Sequence, residues 1–228
     1  MVREYLLLVL VLAYPIVLGF YSMKPRKRRR QRPLTLSYLI GIAEQVGTVL
    51  LLLLIDWRSF IKIDFDVVGR GVLADKENLA NIITLFFLPL IFSLLPPFKK
   101  TFQQKGDDLY GFPVSNMPSR YSELSIFGLY MIASVVFEEL FFRQVGFYAL
   151  NATFSLKGDL LLIIVSALFA FAHHQTTIRA IFSHFFAGLL FGKAYQITGT
   201  ILWPMALHLL ANLPLIVLAL RRIKKQYI

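Results

Sequence analysis

The residues most able to do chemistry stand in apolar surroundings. The first group is Phe137-Glu138-Glu139-Leu140-Phe141-Phe142-Arg143. Glu139 and Arg143 are at i and i+4, which is salt-bridge spacing on a helix. In an apolar environment such pairing is nearly compulsory, because an unpaired buried charge is costly. This reading makes Glu139–Arg143 a structural pair. Glu138 lies about 100° round the helix and is left for general-base work. The second group closes an apolar run at His173-His174, where His173 could hold a water against Glu138. In the third group, His208 and Asn212 are again i and i+4. Two convergent donors on one rigid helix suit an oxyanion hole. Together these residues would activate a water and hold the negative charge that forms.

Each group has a plainer reading. A Glu–Arg pair can simply lock two helices together. A His-x-x-x-Asn pair can be interhelical glue, since polar side chains hydrogen-bond across membrane helices. Three such groups in one small chain favour a site. Other catalytic patterns are missing: there is no His-Glu-x-x-His, no Gly-x-Ser-x-Gly elbow, no phosphate-cradling loop and no dinucleotide fingerprint. The absence of cysteine removes disulfides, a thiol nucleophile and thiolate metal sites.

The elements that position these residues are membrane helices. Of the 228 residues, 57% are hydrophobic and 16% charged, and the mean hydropathy is +0.65. Ordinary globular domains run near 45–50% apolar and about 25% charged. Disorder, a disulfide scaffold and a soluble DNA-binding domain are excluded or disfavoured. A span needs about 20 mostly apolar residues. Seven runs qualify, at 5–21, 34–55, 79–95, 124–150, 160–173, 178–197 and 201–220. The fifth is short for a full span, and an eighth short or re-entrant element could lie between 56 and 78. The expected fold is an all-α polytopic membrane protein of seven or eight spans. Residues 1–110 would supply N-terminal helices and loops, and 111–228 a catalytic core.

Charge sets the orientation. The basic run from Lys24 to Arg32 should stay cytoplasmic, so the first apolar run reads as a retained span with the N-terminus outside. Alternation from there places sixteen bases inside and six outside, with the C-terminus inside. The net charge of +11 is then a topology anchor touching anionic lipid near Lys24 to Arg32, with no nucleic-acid partner. Gly188 and Gly192 form a G-x-x-x-G, read as close helix packing. His184 reads as a packing or interface histidine. Glu44 is an acid in mid-span without an assigned role; it could line the site or contact Lys193.

With these residues the sequence resembles the CPBP family, which includes CAAX prenyl proteases and bacteriocin-processing and immunity (Abi) proteins. Its Glu-Glu-x-x-x-Arg motif matches Glu138, Glu139 and Arg143. Its Phe-x-x-x-His matches Phe169 and His173, and its His-x-x-x-Asn matches His208 and Asn212. Phe186, Gly188, Gly192, Thr200, Ile201 and Pro204 fit the glycine-rich lead to the last motif. The resemblance covers about 125–214. It implies an intramembrane glutamic endopeptidase with Glu138 as base, His173 beside it, His208 and Asn212 as oxyanion site, and Glu139 and Arg143 in support. His173 rather than His174 is chosen because it matches the motif spacing.

A metal-free enzyme is the expectation. The alternative is a zinc-dependent membrane protease that holds the metal through Glu138, His173 and His208. It is disfavoured because the sequence offers no obvious acids to orient the imidazoles. A further alternative is a non-catalytic bacteriocin-immunity or scaffold protein. A small transporter is disfavoured because the polar set is confined to late spans. The substrate would be a membrane-associated peptide or protein, and the location a prokaryotic plasma membrane.

Overall fold

The computed structural model describes residues 2–23, 33–60, 108–109, 112–113, 117–173 and 178–226. Helix α1 is Val2–Met23 and α2 is Leu34–Phe60. A minimal antiparallel pair follows, β1 (Asp108–Leu109) with β2 (Phe112–Pro113). Then come α3 (Tyr121–Glu139), a π-helical segment (Leu140–Gly146) and α4 (Phe147–Phe154). Helices α5 (Gly158–Ala172), α6 (Ile178–Thr198) and α7 (Leu202–Gln226) complete the order. The architecture is helical apart from the two-residue strands. The expected span at 79–95, the basic run, His174 and most of the interval allotted to an eighth element lie outside the described residues.

Three stretches are long and apolar enough to cross a membrane: Leu34–Ile55, Tyr121–Phe154 and Leu202–Lys224. This is an integral membrane chain. The middle stretch has 34 residues, about 51 Å of helix, and so outreaches a bilayer of about 40–45 Å. Its start is fixed by Glu123, whose Oε2 accepts from the Ser119 backbone N–H at 2.8 Å and the Ser119 hydroxyl at 3.1 Å. A carboxylate there satisfies first-turn donors and suits the positive end of the helix dipole. The expected helix at 124–150 is interrupted at its centre. Directly after Glu139 the hydrogen bonds run five residues back through the π segment, a form that recurs at functional sites.

Contacts give the helix directions. Tyr38 meets Phe127, Gly41 meets Tyr130 and Gln45 meets Ser134. Both numbers rise together, so α2 and α3 run parallel. Between α5 and α6 the trend reverses: Gly158 meets Gln196, Leu162 meets Gly192 and Ser166 meets Gly188. These two helices form an antiparallel hairpin. Its first arm has 15 residues, about 22 Å, short of the roughly 30 Å hydrocarbon core. His173 caps α5. Gly199, at φ +65°, makes the tight reversal into α7 that a side chain would strain.

Parallel α2 and α3 begin on one face of the membrane. Pro33→Cys and Arg120→Cys in this cysteine-free chain should label from the same side with an impermeant thiol reagent, and Lys157→Cys from the other. Opposite labelling of the first two would overturn the helix directions.

Candidate active site

Phe169 on α5 is the hub of the site. Its ring stands edge-on to Phe142 at 5.3 Å and to His208 at 5.9 Å, and lies 4.7 Å from the His173 ring. The Arg143 guanidinium lies over it at 4.6 Å and beside Phe191 at 5.6 Å. Two aromatic faces thus flank a cation with no solvent exposure, the geometry of cation–π stabilisation. Arg143 Nε reaches Glu139 Oε2 at 3.1 Å, and Nη2 donates to the Gly188 carbonyl at 3.3 Å. That carbonyl is near enough because α6 packs tightly on α5 here. A Cβ on Gly188 would sit 3.0–3.1 Å from Ser166 Cβ and Cα, and one on Gly192 would collide with Leu162. The G-x-x-x-G stripe therefore works as a close-packing surface, and it also delivers a backbone acceptor to a buried cation.

Glu139 is shared. Its other oxygen, Oε1, accepts from His208 Nδ1 at 2.7 Å. A carboxylate accepts, so the proton is on Nδ1 and Nε2 faces away. The sequence offered no acid to orient an imidazole; the structure supplies Glu139, across helices. His173 is oriented differently. Its Nδ1–H donates to the Phe169 carbonyl at 2.8 Å. The last carbonyls of a helix have no partner further along the chain, and Phe-x-x-x-His spacing lets the histidine fill one. Its Nε2 also faces away from its anchor.

Both Nε2 atoms converge on Glu138. Glu138 Oε2 is 3.6 Å from His173 Nε2 and 3.8 Å from His208 Nε2. Glu138, expected beside His173, lies between two imidazoles. With both Nδ1 protons engaged, neutral rings would present two lone pairs to a carboxylate oxygen. Three acceptors at these separations require protons among them, carried by an imidazolium or a bridging water. His208 has given its Nδ1–H to Glu139 and can donate from Nε2 only as the imidazolium. Asn212 lies one turn further on α7, half-buried, and makes no hydrogen bond among the described residues.

His184, expected only to pack, stacks on His173 with centroids 4.3 Å apart and planes 13° apart, and it lies within electrostatic reach of Glu138. The signal was its place one turn before Gly188, on the same stripe of α6. Phe191 stacks on His208 in the same manner, at 4.7 Å and 21°. The suggested Glu44–Lys193 contact does not form. Lys193 pairs with Asp159 at 3.3 Å, and Glu44 is exposed on α2.

Zinc fits this set poorly. Tetrahedral bonds of about 2.0–2.1 Å put ligand atoms roughly 3.3–3.4 Å apart, closer than the separations at Glu138. Among the described residues, no group of three His, Cys, Asp or Glu is placed to hold a metal.

The sequence model of the type II CAAX prenyl endopeptidase Rce1-like family matches residues 120–214. Endopeptidases of that family hydrolyse peptide bonds. No curated protein and no solved structure matches the chain. The matched segment holds every side chain described above from Glu138 to Asn212, and leaves α1 and α2 outside it.

Arg143→Leu would strand the Glu139 charge and should cost about 3–5 kcal/mol, read as thermal unfolding of the purified protein. His184→Phe keeps a ring against His173 and should be near neutral. His184→Ala should lose about 0.5–1.5 kcal/mol, the usual worth of a stacked pair.

Proposed function

We propose that the chain is an intramembrane endopeptidase that cleaves a membrane-associated peptide or protein through a water activated by Glu138 and His173. The convergence of Glu138 Oε2 with two Nε2 atoms whose partner nitrogens are already engaged is the observation that carries this reading. A water among them has an acceptor for its proton and a fixed direction of attack. Glu138 takes the proton as the water oxygen adds to the substrate carbonyl, and the proton passes to the departing amine. His208, as imidazolium, would donate from Nε2 to the tetrahedral oxyanion. Its charge is held by Glu139 on the opposite nitrogen, so the positive end of the site is prepared before the reaction begins. Asn212 supplies the second donor. Arg143 holds Glu139 in place.

The N-terminus would lie outside and the C-terminus inside. Lys24 to Arg32 would rest on anionic lipid of a prokaryotic plasma membrane.

Glu138→Gln keeps size but cannot act as a base. New peptide termini should appear in membranes of cells carrying wild type and be absent with Glu138→Gln at equal expression. They would also name the substrate and place the cut. Identical termini, with function intact in the mutant, would leave a binding or immunity protein on a protease scaffold. Cleavage should persist after treatment with a zinc chelator; its loss, restored by zinc, would favour the metal reading.

A further inference from the structure

Hydrolysis consumes one water per cut, and the site lies at membrane depth. The side of Glu138 away from the histidines shows how water could be supplied. Tyr130, Ser134 and Glu138 follow one another at i, i+4 and i+8, on one face of α3. Gln45 on α2 donates from Nε2 to Ser134 Oγ at 2.6 Å, and the Tyr130 hydroxyl is within hydrogen-bonding reach of Ser134. Tyr130 lies directly on the α2 backbone: a Cβ on Gly41 would come within 2.6 Å of its ring. Tyr14 on α1 packs on Phe137 and Phe141 and is an electrostatic neighbour of Glu138, Tyr130 and Glu44.

These groups are costly in an apolar bundle unless they are satisfied, and they are only partly satisfied by one another. Gln45 Oε1 is buried without a hydrogen-bond partner. The Tyr14 hydroxyl makes no hydrogen bond among the described residues. Such orphaned atoms call for a partner. Between the acids at its two ends the lane is neutral. Hydroxyls and an amide both donate and accept, which suits water better than an ion.

We infer that Tyr14, Gln45, Tyr130 and Ser134 form a hydrated lane that supplies the water consumed at Glu138. It rests on the hydrolase reading but is built largely outside the hydrolase domain, by α1 and α2 against α3. It also gives Glu44 a place, exposed on α2 at the outer end of the lane.

The test uses the cysteine-free full-length chain in membranes. Only a hydrated thiol ionises and reacts with a small water-soluble methanethiosulfonate reagent, so Ser134→Cys should react about tenfold faster than Ile132→Cys on the outer face of α3 or Val135→Cys in the core. Adding Gln45→Leu should slow it. Tyr130→Cys repeats the measurement should Ser134→Cys fail to fold. Reaction of both no faster than Val135→Cys would overturn the lane. Labelling blocked by the cleaved substrate, with Gln45→Leu raising KM alone, would make this a substrate seat and equally overturn it. Labelling reads water whether or not the chain cuts peptides. An unlabelled lane with cleavage intact sinks only the lane, and a labelled lane without cleavage sinks only the protease.

Discussion

A carboxylate and a guanidinium without solvent exposure set the terms for everything around them. Neither could be tolerated alone at this depth, and each is therefore surrounded. Glu139 receives Arg143 on one oxygen and His208 on the other. Arg143 receives Glu139, two aromatic faces and a backbone carbonyl. Satisfying one charge pair thereby fixes α3, α5, α6 and α7 against one another at a single point. The reacting groups hang from this joint. Glu138 is the next residue along the chain, and His208 is held by the same carboxylate.

The site is also layered. Glu138 and the two Nε2 atoms face one another directly. Behind each imidazole are an anchor for Nδ1 and a ring against its face: the Phe169 carbonyl and His184 for His173, Glu139 and Phe191 for His208. Two unrelated anchors produce one result, an imidazole whose Nε2 points at Glu138. Such preorganisation matters because reorganisation inside a low-dielectric bundle is costly.

Much of this was legible in the sequence wherever chemistry and spacing coincide on one helix. Glu139 and Arg143 announce themselves by an i, i+4 interval in apolar surroundings, and the glycine stripe by its period. What could not be read is what crosses between helices. Nothing in the sequence places Glu139 beside His208, some seventy residues later, or His184 on the face of His173 across the hairpin. The π segment was hidden too, since Leu140 to Gly146 has an ordinary helical composition. The approach of His208 to Glu138 was hidden for the same reason: the two are distant in sequence.

Phe169 touches Phe142, His173, His208 and Arg143 at once. Its neighbours are accordingly not independent letters. A smaller ring at 169 would loosen a charge, an anchor and two imidazoles together, and no single change at 143, 173 or 208 could compensate for all of them. Energies at these positions cannot add, because the contacts share one partner. Evolution would have to alter them as a set or leave them alone. On this account the short motifs scattered along the chain are a single inherited unit, divided only by the order in which it is written.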